Sequence, residues 1–309
     1  MSCCSGIITF ILVAAIGIGL GLYFGVFTKK DLDDIAGAFR DGFNDILDGD
    51  PFAMEKVNST VYLWVGSRGK GGLSLELLNA LDDSWQTYFE QAVSDWESGS
   101  PDALSLTTSK VTAESECEQV DGVMKVCNGD YGDTGWRGIN EILLNANNRI
   151  VSSAAKMNEY YLTSTTSSND KQYTMCHEIG HGFGLPHTDE NFLNAALGDC
   201  LDYSSNVAKN LKPGQVNYDK LVDAYGVVGR LRWLRLSPLS QISEESLSVI
   251  ETPKSVSNLL RQKVQSFKVG IENEGWIPLR KHSLGEVHAI DLGGGYRGQI
   301  DLLLASNSN

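Results

Sequence analysis

Basic residues are in the minority in this sequence of 309 residues. Lysine and arginine together number 25, against 39 aspartate and glutamate residues, which gives a formal net charge of −14 at pH 7. No basic stripe runs along the chain, so the electrostatic footprint needed for binding a phosphate backbone is missing. A nucleic-acid partner is therefore excluded, whereas the acidity favours solubility and does not identify a substrate.

Internal repeats and cysteine pairs at metal-binding spacing are also missing. Without a repeat, the length allows one large domain or two modest ones. The sequence has six cysteines and no Cys-x-x-Cys, which argues against a zinc site built from cysteine alone. Four of the cysteines lie well inside the chain: Cys117, Cys127, Cys176 and Cys200. They allow three disulfide pairings, and four buried free thiols are the alternative.

Charged residues are absent from residues 7–27, which form a continuous apolar run. This run is long enough to span a bilayer as a helix, and its start lacks the positive charge of a cleaved signal peptide. We therefore predict an N-terminal membrane anchor over residues 1–28, with a secreted protein after signal cleavage as the alternative. Residues 29–57 are predicted to be an acidic stalk. Their first two residues, Lys29 and Lys30, favour retention of the following chain in the cytoplasm.

Hydrophobic periodicity predicts an α+β fold for the rest of the chain, with one domain over residues 58–227. Strands are predicted at residues 61–65, 104–111, 139–144 and 150–157, a long helix from Leu78 to Trp96, a surface loop at 113–137 and a helix at 213–226. Residues 228–309 are predicted to be a linker followed by a small β-rich appendage. Among its residues, His282 and His288 are expected to have surface or structural roles.

The residues from His177 to His187 carry the pattern H-E-x-x-H-x-x-G-x-x-H. On a helix, His177 and His181 lie four residues apart and can direct two imidazoles at one metal ion. Gly184 can adopt a positive φ, end the helix and bring His187 back as a third ligand. Three histidines with an open fourth position are typical of a catalytic zinc site, and Glu178 lies beside the first ligand.

With this motif the sequence resembles the metzincin zinc proteases. That family has a tight turn below the zinc, and the matching residues here run from Asp199 to Tyr203. Leu201 stands where the family has methionine, and an apolar side chain of similar volume is expected to pack there. Tyr203 matches a tyrosine that steadies the oxyanion in some members. The wording HEIGHGFGLPHTDENF and GDCLDYS is also similar to metalloproteases of fungi and diatoms, over residues 58–227.

The resemblance implies a metzincin-like zincin fold, in which long helices lie above a twisted sheet and a smaller C-terminal subdomain follows. It implies a zinc-dependent endopeptidase that acts on protein or peptide substrates. Glu178 would activate a zinc-bound water as general base, and Tyr203 would assist. The two strands at residues 139–144 and 150–157 match the place of the family's edge strand, along which an extended peptide would pair, with an ordinary hairpin as the alternative. The alternatives are a catalytically inactive, membrane-tethered binding protein on this scaffold and a zinc hydrolase acting on a non-peptide amide.

Further expectations concern the cysteines, the compartment and the loop after the third histidine. A Cys176–Cys200 bridge would tie the zinc helix to the turn below the metal, and Cys117–Cys127 would be the other pair. Disulfides indicate an oxidising compartment, so the catalytic domain is expected outside the cytoplasm, against the indication from the two lysines. Asp189 follows the third histidine closely and is a candidate metal ligand or a hydrogen-bond partner of a ligand, with a solvated loop acid as the alternative.

Overall fold

The structure, a computed structural model, describes residues 61–67, 71–191, 194–204, 206–229, 252–282 and 284–305. The predicted membrane anchor and acidic stalk lie outside these residues, as does most of the predicted linker, at 230–251. Across the described ranges, no helix is both long enough and apolar enough to cross a membrane.

The described residues form an α+β fold, as predicted, with nine strands in one mixed sheet and four α-helices. The strands are β1 (Leu63–Trp64), β2 (Leu73–Ala80), β3 (Leu104–Lys110), β4 (Val123–Gly129), β5 (Trp136–Leu144), β6 (Arg149–Asn158), β7 (Trp276–Lys281), β8 (Gly285–Gly293) and β9 (Tyr296–Leu304). The helices are α1 (Gln86–Glu97), α2 (Ser168–Gly182), α3 (Gln215–Tyr225) and α4 (Lys254–Gln265).

The sheet has a parallel half and an antiparallel half. Its strand order is β3-β2-β4-β6-β5-β9-β8-β7, and β1 pairs with β6 beside this path. Strands β2, β3, β4 and β6 are parallel, whereas β5, β9, β8 and β7 each run antiparallel to their neighbours. The β5–β6 hairpin, β3, α3 and the β-rich character of residues 276–304 match the elements expected from the sequence.

The helix predicted from Leu78 begins too early. Residues from Leu73 to Ala80 form strand β2, and α1 starts only at Gln86, after a short 3-10 turn. The side chain of Asp82 accepts the backbone N–H of Ser84 and caps that turn. Leu78 near the end of β2 and Leu81 just after the strand extend the apolar spacing of α1 backwards, which explains the wrong prediction.

The surface loop predicted at residues 113–137 is also wrong in part. It contains β4, a largely buried strand hydrogen-bonded between β2 and β6. Its sequence, VMKVCNG, contains one lysine and ends in turn-forming residues, so it lacks a strong alternating pattern. Lys125 is nevertheless buried and forms an ion pair with Glu114, which explains how a central strand tolerates that residue.

Strand β5 is not a free edge, contrary to the expectation that a peptide could pair there. Strand β9 is hydrogen-bonded to it in antiparallel register over almost its whole length. Strands β8 and β7 then continue the same sheet, so the β-rich residues predicted as an appendage extend the main sheet. The exposed edge of the antiparallel half is therefore β7.

Each face of the sheet carries its own apolar core. Helices α1 and α2 pack on one face, where the largest buried side chains include Trp85, Trp96 and Phe183. Helix α4 packs on the other face, where Leu260 and Val264 meet the antiparallel half of the sheet. Strands β5 and β9 alternate between the two cores, so both are held from above and below.

The turn after α2 sets a steric requirement that can be tested. Gly184 has φ +84°, and a Cβ there would lie 2.0 Å from the carbonyl oxygen of Tyr62. We expect Gly184→Ala to lower the free energy of unfolding by about 3 kcal/mol or more, the sum of the left-handed penalty and the clash. Gly122 has a similar φ of +81° but no atom within 4 Å of its Cβ position.

The matched control is therefore Gly122→Ala, which should cost only about 1 kcal/mol. Urea unfolding of both variants, followed by circular dichroism, measures the difference. Equal losses in the two variants would show that the close approach of Tyr62 to the turn has no energetic consequence.

Candidate metal centre

Helix α2 carries the first two histidines and is anchored at both of its ends. The side chain of Ser167 accepts the backbone N–H of Asp170 at 3.1 Å, which caps the helix start. Near the other end, Trp96 Nε1 donates to the carbonyl of Cys176 at 3.1 Å, and Trp64 Nε1 donates to that of Gly182 at 3.0 Å. Buried indoles therefore fix the turns of α2 that contain the motif.

The turn at Gly184 brings the third histidine to the helix. The N–H of Gly184 donates to the carbonyl of His181 at 2.8 Å, and the positive φ then reverses the chain. Within the described residues, His177, His181 and His187 are buried and form the one group of potential metal ligands with atoms close enough to share an ion. The three histidines predicted as ligands are thus brought together.

The hydrogen bonds of the imidazoles define which nitrogen faces the centre. Nδ1 of His177 lies 2.7 Å from the carbonyl oxygen of Cys200, and Nδ1 of His181 lies 2.8 Å from that of Leu185. Because a carbonyl oxygen only accepts, both Nδ1 atoms donate a proton, and each neutral ring keeps a lone pair on Nε2. Nδ1 of His187 likewise lies 3.0 Å from a carboxylate oxygen of Glu190.

The three Nε2 atoms converge. Nε2 of His181 lies 3.0 Å from that of His177 and 3.0 Å from that of His187, and the remaining pair is 3.3 Å apart. Three lone pairs this close repel one another unless a cation lies between them. Tetrahedral zinc with Zn–N bonds of about 2.0–2.1 Å would separate the nitrogens by about 3.3 Å. The residues therefore fit a metal ion.

Burial also sets the protonation of the site. It lowers the pKa of His177 and His187 well below the usual range for histidine and lowers the pKa of His181 in the same direction. The imidazoles are therefore neutral near pH 7, which is the form that binds metal. Burial raises the pKa of Glu178 well above its usual range, and the neighbouring Asp301 adds to this shift.

A disulfide joins α2 to the turn below the site. Cys176 and Cys200 are bonded with their Cα atoms 6.0 Å apart, and Cys117 and Cys127 form a second bridge, so both expected pairs are confirmed. The carbonyl of Cys200 is the one that orients His177. Leu201 is fully buried and lies against Gly180 of the helix, where a Cβ would be 3.0 Å from it. The bridge therefore holds helix and turn in one unit.

The two predicted catalytic side chains lie in the same buried region. The ring of Tyr203 is 4.2 Å from the ring of His187 and 5.8 Å from that of His177, between centroids. Its hydroxyl and both carboxylate oxygens of Glu178 are buried and have no hydrogen-bond partner among the described residues. A Cβ on Gly138 of β5 would lie 2.3 Å from Glu178 Oε1, so this glycine makes room for the carboxylate.

The carboxylate that orients a ligand is Glu190, whereas the candidate predicted from the sequence was its neighbour, Asp189. Asp189 instead accepts the backbone N–H of Asn191 and so holds the loop. Glu190 bonds His187 and also meets His282, whose Nε2 is 2.7 Å from Glu190 Oε2. The closeness of Glu190 to His187 in the sequence was a usable signal. Nothing in the sequence indicated His282.

Glu190 is expected to strengthen metal binding through His187. Replacing it by glutamine removes the charge that makes Nδ1–H a stronger donor and the ring a better ligand, so the affinity for zinc should fall about 10–100-fold. Competition with a chromogenic chelator measures this change. Asp189→Asn is the control and should leave the affinity nearly unchanged. An equal loss in the two variants would show that the loop as a whole, and not Glu190, supports the ligand.

Comparison with known proteins adds no assignment to this geometry. No known protein family model matches the chain, and no curated protein matches it either.

Proposed function

We propose that this chain is a zinc-dependent endopeptidase of the metzincin type. The observation that carries the proposal is the convergence of three Nε2 atoms beside a buried glutamate, in the order that the motif predicts. Three protein ligands leave one coordination position for a reactant, whereas a structural zinc site uses four. A glutamate at this position has no role in holding the histidines, which are oriented by other groups.

Zinc is the metal that the ligand set suits best. Neutral imidazoles also bind copper, iron and nickel, but three histidines with an adjacent glutamate are typical of zinc hydrolases. When bound, zinc would polarise a peptide carbonyl and lower the pKa of a nearby water toward neutrality. Zinc would thus activate both the peptide carbonyl and the water. The proton of that water has to be transferred by a side chain of the protein.

Glu178 is proposed as the general base. Burial favours its neutral form, so the carboxylate readily accepts a proton from water and then returns it to the leaving amine. The backbone below it is fixed, because Asn140 Nδ2 donates to the carbonyl of Glu178 at 2.8 Å and Ser153 in turn donates to Asn140. The base is therefore held by the sheet as well as by its own helix.

Tyr203 is proposed to steady the negative charge that develops on the carbonyl oxygen. Burial raises the pKa of its hydroxyl well above the usual range, so it remains a proton donor in hydrogen bonds. The turn that carries it is packed from several sides: the N–H of Tyr203 donates to the carbonyl of Asp189, and Tyr173 donates to that of Asp202. Leu201 fills the place of the family methionine as an apolar support.

The location and the substrates are proposed from the same set of features. The two disulfides support an oxidising compartment, and the apolar run at residues 7–27 supports a membrane anchor with the catalytic part outside the cytoplasm. Protein or peptide chains are the proposed substrates.

The test is chelator-sensitive proteolysis by the zinc-loaded protein. Casein should be cleaved, cleavage should stop after zinc is removed with 1,10-phenanthroline, and it should return when zinc is restored. The protein is assayed both intact and after its chain has been cut in the turn between β8 and β9. Bound zinc without casein cleavage in either form would favour the inactive binding protein instead.

A further inference from the structure

The proposed site is closed to solvent in the folded chain. Glu178 is 0% exposed, and the most accessible ligand, His187, is only 6% exposed. An endopeptidase has to admit an extended substrate chain of several residues. A general base with no exposed surface cannot contact such a substrate. Something in the fold therefore covers the site, and strands β7, β8 and β9 are the elements that meet it.

Strand β9 lies next to the backbone that borders the proposed base. In the β5–β9 pairing, Leu303 is opposite Gly138 and Asp301 is opposite Asn140. Gly138 makes room for the carboxylate of Glu178, and Asn140 binds its backbone carbonyl. Leu303 belongs to the same apolar core as α2. The strand thus runs along the edge of β5 beside the proposed catalytic residue.

The beginning of β8 lies against the proposed oxyanion donor. A Cβ at Gly285 would be 1.7 Å from the hydroxyl oxygen of Tyr203 and 2.4 Å from its Cζ. Only a residue without a side chain fits in that position. The backbone of Gly285 therefore occupies the space in front of Tyr203.

The end of β7 reaches the outer side of the ligand His187. Nη1 of Arg280 lies 3.7 Å from Glu190 Oε1, and His282 follows at 2.7 Å from Oε2. The three strands thus lie at three separate parts of the site. Strand β9 pairs with the backbone that borders the base, β8 meets the oxyanion donor, and β7 meets the carboxylate that orients a ligand.

On the basis of the proposed function, we infer that residues 276–304 occupy the edge of β5 where a substrate peptide would pair. They keep the peptidase latent until they leave that edge. We call them the C-terminal plug. An antiparallel strand paired with β5 is the arrangement by which an edge strand binds an extended peptide. A segment of the same chain has an effective concentration in the millimolar range, so it excludes ordinary peptide substrates.

The sheet can lose the plug without being divided. Strands β3, β2, β4, β6 and β5 remain consecutive neighbours when β9, β8 and β7 are removed, and α1 and α2 pack on that part. The turn between β8 and β9 offers a place to separate the strands, because Gly293, Gly294 and Gly295 are exposed. A cut there leaves β9 held only by non-covalent contacts.

The experiment introduces such a cut into the full chain. The recognition sequence of a site-specific protease is inserted between Gly294 and Gly295, and the zinc-loaded protein is assayed before and after cutting. Two rates are measured: zinc extraction by a chromogenic chelator and cleavage of a quenched fluorescent peptide. The control carries the same insertion between Asn147 and Asn148, in the exposed β5–β6 turn, where a cut leaves the plug attached. Gel filtration in low urea and mass spectrometry establish whether β9 has left.

Release of β9 is expected to raise both rates at least tenfold, with no rise in the cut control. Measurable peptide cleavage at the same rate before and after release would overturn the plug and leave the peptidase proposal intact. Faster zinc extraction without peptide cleavage would instead overturn the peptidase proposal, and latency with it. If β9 stays bound at every urea concentration below the unfolding transition, it is a permanent part of the sheet and the inference is wrong.

Discussion

Glu178→Gln is expected to reduce peptide cleavage about 10²- to 10⁴-fold, the range found when a general base is lost. Glutamine has nearly the shape of glutamate but cannot accept a proton from water at neutral pH. Because the three histidines are oriented by other groups, the variant should still bind one zinc ion. The measurement is kcat on a fluorescent peptide together with zinc content, in the form of the protein that is active.

Two properties of this variant separate a chemical role from a structural one. Neither carboxylate oxygen of Glu178 has a hydrogen-bond partner among the described residues, so the amide breaks no contact seen in the structure. The thermal unfolding midpoint should therefore hardly fall. Glu90→Gln, on the exposed face of α1, is the control and should keep full activity. Cleavage by Glu178→Gln at the rate of the unmodified protein would show that another group is the base.

His181→Ala is expected to weaken zinc binding more than about 100-fold, since even the loss of a hydrogen-bond partner of a ligand costs 10–100-fold. His181 lies closest to both of the other ligands, at 3.0 Å from each Nε2, so its loss leaves two nitrogens that are 3.3 Å apart. Dialysis against trace zinc, followed by metal analysis, should find much less than one zinc per chain. Peptide cleavage should disappear in parallel.

The matched control for this variant is His288→Ala. His288 is also buried, but its Nε2 is 2.8 Å from Glu286 and its ring contacts Phe267 in the core around α4. Removing it should destabilise the fold without changing the zinc stoichiometry. If both variants kept one zinc per chain, the three histidines would not be the metal site. If both lost it, the loss would reflect unfolding rather than a missing ligand.

The grouping of the three candidate ligands was predictable because its information is local. His177 and His181 meet through helix geometry, and Gly184 turns the chain so that His187 follows within one short segment. Spacing alone therefore located all three candidate ligands. The pairing of Cys176 with Cys200 also followed, because one cysteine precedes the first ligand and the other lies in the expected turn.

The fold was less predictable where pairing is distant in sequence. The start of α1 was misplaced because Leu78 of β2 and Leu81 just after it happen to continue a helical spacing. Strand β4 was missed because its burial depends on both neighbours, β2 and β6, and on the ion pair of Lys125. Neither feature is visible in a window of a few residues, since strand burial is set by the completed sheet.

The covering of the site by strands β7 to β9 could not be predicted from local sequence patterns. The sequence predicted strands at residues 276–304 but not their partner, and β5 lies more than 130 residues earlier in the chain. Contacts such as His282 with Glu190 and Gly285 with Tyr203 exist only because β9 adds to β5. Hydrophobic periodicity identifies a strand. Which strand it pairs with is determined by the packing on both faces of the completed sheet.

Titration of the metal-free protein with zinc tests the central claim most directly. Peptide cleavage is followed after each addition, in the chain from which β9 has been released. We predict that activity rises linearly and saturates at one zinc per chain, and that Glu178→Gln binds the same single zinc without gaining activity. Saturating zinc binding with no cleavage in either protein, or cleavage that is independent of zinc, would contradict the account.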